Sequence, residues 1–491
     1  MGESTRQGLL PENVPRTIRD AMKAVLLLDP QYVWVDQYCI DQSNAVELQQ
    51  QISVMDMIYN LATVTIIAAC GENVSFGLPG VGPTARTEQP MINLNGRVWV
   101  SCLESPSDKI VRSKWFTRGW TYQEGVFARR RLFFTDEQVY FECNNTPCLE
   151  VLAYNLHYLD DKMQLSPNGI FNGGFSFDSV GGLDKHIQQY TMRDLSFQKD
   201  AINALRGIFR AFSSMPSPVR HIWGIPTDRY RGTNSCWPAN RKLLRESSKE
   251  FPGRLDSQFA RALCWYLNEP AKRRDGFPSW SWAGWIGHLS HSYPWGLINL
   301  DFGDSEVKIW LQRQGGEYDR LNEEVITGAN RQDASVIVYT PVIRIEAWTV
   351  EVEFKYVAGG FYDLKTHVRN DNPHPTYFTA VQVAPPLAYR GTCYWPLIQS
   401  VHAAEDKDLH RELCEQKFEC ILLSKQADFG LVVRRMGEGA ERVGHINLRW
   451  LHFELEVHRQ SGEEEEEVEN KNLHISLFDA LQPSKREILL K

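Results

Sequence analysis

Residues 36 to 42 read DQYCIDQ: two carboxylates, two amides, a phenol and a thiol in one short stretch. A plain turn would be built from Gly, Pro or Asn, so this stretch is made to hold something or to be held. Asp36 and Asp41 invite an acid/base reading. Of the two, Asp36 is the site candidate. Asp41, like Ser43, suits the N-cap of the helix that follows. Cys39 has no sequence-adjacent partner to activate it and reads as a small packing residue rather than a nucleophile.

The elements around this stretch would have to position it. Tyr32, Val33, Trp34 and Val35 are β-branched or aromatic and predict a strand over 32–35. A helix over 46–59 then places Leu48, Ile52, Met55 and Tyr59 on one face, with Met55, Met57 and Tyr59 expected in the core. TVTIIAA (63–69) is apolar throughout, as a strand covered on both faces should be. Strand, helix and strand at this spacing form a βαβ unit with parallel strands. Asp36 and the loop CGENVSFGLPGVG would then lie on one sheet edge, where open α/β folds bind ligands. The glycines of that loop fit neither GxGxxG nor GxxxxGK[ST], so no nucleotide fingerprint is present. Upstream, Thr17 with Asp20 has capping-box spacing, and Ile18, Met22, Val25 and Leu28 continue a helix that Asp29-Pro30 ends.

Further along, RVWVS (97–101) predicts a strand, and Trp120, Glu124 and Phe127 fit one helix. RLFFT and QVYFEC form a strand pair. LDKHIQQYTMRDL (183–195), KDAINALRGIFRAF (199–212) and SQFARALCWYL (257–267) are helical patterns, with a loop at 171–182. The indoles of PSWSWAGW (278–285) are expected to pack. From about 290 the texture is that of strands, as in ASVIVYTPVIRIEAWTVEVEF (334–354). Gly462 to Glu469 holds five consecutive Glu and is expected to be a disordered acidic loop.

The length of 491 residues points to two to four domains. A formal charge of −8 argues against a general nucleic-acid binder, and Arg129-Arg130-Arg131 reads as a solvated helix end. The ten Cys include no Cys-x-x-Cys pair. Cys143 with Cys148, and Cys414 with Cys420, lack companion His residues, so no metal is expected. MGESTRQGLLPENVPR has no apolar signal core, and no run of 18 apolar residues follows. Arg6 after Met1-Gly2 misses the myristoylation pattern. A cytoplasmic location is the expectation.

Three blocks in order, YVWVDQYCIDQ, ELQQQISVMDMIYNLATVTIIAA and RGWTYQE, resemble the hallmark blocks of the fungal heterokaryon-incompatibility (HET) domain. GLPG (77–80) stands where that family often carries it. SFQKDAINALRGIF (196–209), HIWGIP (221–226) and PSWSWAGW resemble the region that commonly follows the domain. The resemblance covers about residues 10 to 290. It implies non-self recognition between fungal individuals, with the domain triggering programmed cell death when a protein partner, not identified by the sequence, activates it. Self-association is a further expectation; a nucleic acid, a membrane span and a cofactor are not expected. The family usually opens with a strand near Ser-Tyr-x-Trp-Gly, and nothing before Pro11 matches it. The expectation is an N-terminally incomplete sheet with an exposed strand edge, from an incomplete gene model or an inactive truncated paralogue.

HET domains are in turn remotely similar to Toll/interleukin-1 receptor (TIR) domains, some of which cleave NAD. Those enzymes carry a Trp and, four residues on, a Glu on one helix, the spacing of Trp120 and Glu124. The resemblance implies that Glu124 stabilises an oxocarbenium-like state while Trp120 walls the pocket. The competing expectation, preferred at this point, is that Glu124 accepts hydrogen bonds from backbone or Arg118 and pins its helix. The chain is thus expected to be an α/β, TIR-like, mostly parallel HET domain over 1–145. A helical HET-associated region (146–290) and a β-rich module (291–491, with acidic loop 462–469) follow. Glu124 and Asp36 are its catalytic candidates, Trp120 its binding candidate, and NAD glycohydrolase the alternative activity.

Overall fold

The computed structural model describes residues 10–28, 30–144, 146–151, 169–171, 180–216, 218–228, 254–289, 306–329, 339–357, 376–383, 391–399, 407–423, 429–447, 452–455 and 483–491. The acidic loop 462–469, most of the expected loop 171–182 and Asp29 lie outside them. The chain divides into two compact units, Met1–Ser214 and Met215–Lys491.

Helix α1, Arg16–Leu27, starts without a side-chain cap, so the expected Thr17–Asp20 capping box does not form. A neighbouring loop satisfies its first turn instead. The Val74 carbonyl accepts from the Thr17 N–H at 3.0 Å, Thr17 Oγ1 accepts from the Gly77 N–H at 3.1 Å, and Asp20 Oδ2 accepts from the Leu78 N–H at 3.1 Å. Asp20 is fully buried, so its carboxylate serves this tertiary contact rather than its own helix. GLPGVG owes two of its glycines to the same close approach: Gly77 has φ +95° and a Cβ there would lie 2.7 Å from Asp20 Oδ2, and a Cβ on Gly82 would lie 2.2 Å from Asp20 Oδ1. Leu78 then packs with Ala24 and Phe134.

The expected strand 32–35 is absent. A strand persists only where a partner satisfies its backbone groups, and this run finds no strand partner among the described residues; Tyr32 is 88% exposed. It leads instead into a single helical turn, α2 (Asp36–Cys39), whose Tyr38 and Ile40 N–H groups bond to the carbonyls of Val35 and Asp36. The next helix, α3, is Ala45–Leu61. Its cap is Asn44, whose Oδ1 accepts from the N–H groups of Val46 and Glu47 at 3.1 and 3.2 Å. Asp41 Oδ1 is engaged by the N–H and hydroxyl of Ser43, so neither Asp41 nor Ser43 caps the helix as expected. Asn44→Ala should cost about 1 kcal/mol, read as a lower midpoint in chemical denaturation, whereas Ser43→Ala should leave the midpoint nearly unchanged.

Strand β1 (Thr65–Ala68) is followed by an Asn95-Gly96 hairpin of β2 (Met91–Leu94) and β3 (Arg97–Val100). Helices α4 (Pro106–Val111), α5 (Lys114–Thr117) and α6 (Trp120–Phe127) lead to β4 (Arg130–Phe134), β5 (Val139–Cys143) and β6 (Pro147–Leu149). The sheet runs β1-β4-β5-β6. Only β1–β4 is parallel, with Thr65 opposite Arg131 and Ala68 opposite Phe134; the other two pairings are antiparallel. The expected mostly parallel sheet is therefore mixed among the described residues, and the parallel neighbour of β1 comes from β4, not from 32–35.

Arg131 overturns another expectation. Arg129 and Arg130 are exposed, but Arg131 is buried on β4 and pairs with buried Glu142 at 3.1 Å. Its guanidinium also donates to the carbonyls of Gly125 and Ala128. Helices α7 (Val180–Thr191) and α8 (Arg206–Ser213) complete the unit. Arg210 of α8 pairs with Asp56 of α3, and Gly207 lets the two helices approach.

The second unit is β-rich. A hairpin, β7 (Val219–Ile222) and β8 (Ile225–Asp228), precedes helix α9 (Arg254–Ala262). Short strands β9 (Lys272–Arg273) and β10 (Trp285–Ile286) pair with each other, as do β11 (Lys308–Arg313) and β12 (Tyr318–Arg320). The indole N–H groups of Trp280, Trp282 and Trp285, all buried, donate to the carbonyls of Pro341, Gly224 and Ser279 at 2.8 to 2.9 Å. They pack, as expected. The long strand β13 (Tyr339–Val357) anchors a ten-stranded sheet. Its pairings with β14 (Thr376–Val383) and β16 (Lys417–Leu422) continue through β15 (Gly391–Gln399), β18 (Gly439–Asn447) and β17 (Phe429–Met436) into a closed antiparallel circuit. Closure of this kind removes exposed edges. Along β13 the buried set shifts from Ile343, Ile345, Ala347 and Thr349 to Val352 and Phe354. The strand thus changes its covered face as it passes from one set of neighbours to the next.

Candidate functional site

Glu124 sits in the second turn of α6 and is half-buried. The side chains of Tyr59, from the last turn of α3, and Trp115, from α5, lie in hydrogen-bonding reach of its carboxylate. Arg118 and Asp36 face it as charges. Trp34 meets Tyr59 edge-on, with ring centroids 5.8 Å apart. Two of the expected site residues, Asp36 and Glu124, are thus brought together, although by a helical turn and not by a strand end. The loop 70–80 does not join them as expected; its contacts run to Thr17 and Asp20 of α1.

The local scaffold is tightly tied. Ser113 caps α5 by accepting from the Phe116 N–H at 3.2 Å. The Thr121 hydroxyl bonds to the carbonyls of Trp115 and Arg118 at 2.6 and 2.7 Å. Trp115 is also held edge-on by Phe133 and Phe171, at 5.8 and 6.2 Å. Trp120 is half-buried, and its indole N–H reaches Asp200 Oδ2 at 3.4 Å. The indole within reach of Glu124 is that of Trp115.

These surroundings set the charge of the site. Burial raises the Glu124 carboxyl to about 7, with Arg118 opposing, Asp36 adding to the rise, and the Trp115 and Tyr59 donors holding it down. Burial likewise raises the Tyr59 phenol, reinforced by Glu124 and Asp36 and opposed by Arg118. A carboxyl with this midpoint is divided between acid and base near neutrality, the condition for giving and taking a proton. When ionised, it can stabilise a developing cation in a site walled by indoles. Among the described residues no group of three or more His, Cys, Asp or Glu is placed to hold a metal. No described helix is long and apolar enough to cross a membrane.

Sequence reasoning took Tyr59 for core, Trp34 for a strand residue, and gave Trp115 no role. The available signal was their position: each lies in or beside one of the three blocks that carry the resemblance. The family model described as Heterokaryon incompatibility protein (HET) matches residues 3–124. No curated protein and no solved structure matches the chain. The matched stretch contains all six residues of the cluster (Trp34, Asp36, Tyr59, Trp115, Arg118 and Glu124) and ends at Glu124 itself. Over residues 3–124 this chain carries a domain of the heterokaryon incompatibility family.

Proposed function

We propose that this protein is a heterokaryon-incompatibility effector of fungal non-self recognition, which triggers programmed cell death when a protein partner activates its N-terminal domain. The observation that carries the reading is the coincidence of the matched stretch with the Glu124 cluster. Residues from three successive blocks, the last some fifty residues beyond the second, converge on one half-open group of two carboxyls, one arginine and three aromatic rings. Control by a protein partner is supported by the hairpin β2–β3. Met91, Ile92, Leu94, Val98, Trp99 and Val100 are all exposed there, and Arg97 is its one charge. An apolar surface of this kind on a domain in water suits burial against another protein.

A second reading is favoured by the chemistry of Glu124. A carboxyl poised near neutrality beside a second carboxylate suits cleavage of a glycosidic bond, such as the nicotinamide bond of NAD. The test is induced expression of the full chain in a filamentous fungus, with growth and cellular NAD followed together. Growth arrest that scales with expression is the expected result, and unimpaired growth at high expression would sink the effector reading. A fall in NAD before viability drops would support glycosidic cleavage. Arrest at constant NAD would remove the enzyme and leave a scaffold that signals through its partner.

A further inference from the structure

The matched stretch ends inside α6, yet the elements that hold the start of α6 lie some seventy residues further on. Residues 192–195, just past α7, run as a strap along 116–121. Asp194 forms a parallel bridge with Arg118. Its carbonyl accepts from the Gly119 N–H at 2.6 Å, and its own N–H donates to the Thr117 carbonyl at 2.6 Å. Leu195 covers Gly119 so closely that a Cβ there would lie 2.6 Å from its Cδ2. The buried Arg193 guanidinium donates to the Phe116 carbonyl and, at 3.3 Å, to Thr121 Oγ1. It stacks over the rings of Phe116 and Tyr122, at 3.9 and 4.9 Å from their centroids. Asp200, beyond the strap, receives the Trp120 indole N–H.

We infer that Arg193 is a positioning residue of the Glu124 site: from outside the matched domain it clamps the Phe116–Thr121 turn that aims Trp115, Arg118 and Glu124 at one another. The inference rests on the proposed function only in taking the Glu124 cluster as the working site. A lysine could not make these contacts together, because one guanidinium nitrogen bonds to both oxygens while the flat face of the group lies on aromatic rings. The clamp is also electrostatic. Burial lowers the Arg193 guanidinium to about 10, while Tyr122 and Glu124 favour its charged form. By reciprocity, its charge favours the ionised form of Glu124. The charged and titratable groups that face Glu124 are Asp36 at the start of α2, Tyr59 on α3, Arg118 before α6 and Arg193 after α7.

The experiment uses the full chain and its tryptophan fluorescence, to which Trp115 contributes and which a neighbouring protonated carboxyl quenches more than a carboxylate. Emission is titrated from pH 5 to pH 9, and the step that vanishes in Glu124→Gln belongs to Glu124. Arg193→Met should move that step upward. Arg193→Lys, which keeps the charge, should return it most of the way. Arg193→Gln retains a donor for the Phe116 carbonyl and gives the same upward shift, so it decides the matter if Arg193→Met does not fold. An unmoved step in a folded neutral variant would overturn the inference. Growth arrest plays no part in this readout, so its failure and that of the effector reading are told apart.

Discussion

Arg131→Met should destabilise the first unit by roughly 3–5 kcal/mol, the cost of leaving a buried carboxylate without its cation. Both side chains are essentially inaccessible, at 1% and 0% exposure. Burial lowers the Arg131 guanidinium below its ordinary range, while Glu142 favours its charged form. Glu142 does more than balance that charge. Its carboxylate accepts from the N–H groups of Ile170 and Phe171 at 2.8 and 2.9 Å, and from the Tyr140 hydroxyl at 3.1 Å. Many buried ion pairs can be replaced by an apolar pair at little cost. Here the double replacement Arg131→Met, Glu142→Leu should recover only part of the loss, because two backbone donors are then left buried without an acceptor. Chemical denaturation of the wild type, the two single variants and the double variant measures this directly. A double variant as stable as the wild type would show that the pair is an ordinary exchangeable bridge.

Glu124→Gln should abolish growth arrest in cells where the wild-type chain produces it, while leaving the protein at least as stable near pH 8. The amide keeps the size of the side chain but cannot carry the charge; removal of one well-placed electrostatic group costs on the order of a hundredfold or more in rate. The stability arm follows from the shift from 4.5 to about 7. Between those values the folded state binds the proton and the unfolded state does not. Stability of the wild type therefore falls as pH rises through this window and levels off above about 7. The amide variant has no such dependence, so its relative stability should grow across the window by about 1–3 kcal/mol, allowing for solvent screening of a half-open group. Thermal melting of both proteins at pH 5 and pH 8 tests the sign. A variant that melts lower by the same amount at both pH values would make Glu124 a helix-pinning acceptor. Wild-type killing retained by the variant would remove it from the working site.

What the sequence could determine by itself was whatever depends on near neighbours and composition. Helices α1, α3 and α6 follow from apolar spacing, the β4–β5 pair and β13 from alternating or β-branched runs. The i to i+4 placement of Trp120 and Glu124 follows from helix geometry alone. The ordered blocks were enough to mark the HET domain, since they are patterns of residue type. Only the tertiary structure decided where those elements go and what each polar group meets. YVWV has every local mark of a strand, but β1 takes β4 as its parallel partner and the run joins no sheet among the described residues. Arg131 looks like one of three solvated arginines until strand pairing sets it opposite Glu142. Thr17 and Asp20 look like a capping box until a loop some sixty residues later supplies N–H groups to both. Trp115 joined the site through contacts no spacing rule encodes, and Trp120, which has the suggestive spacing, turns its indole N–H to Asp200. The physical reason is common to all of these. Local propensities differ by about 1 kcal/mol or less, whereas leaving a buried charge or backbone group unpaired costs several times more, so long-range partners decide.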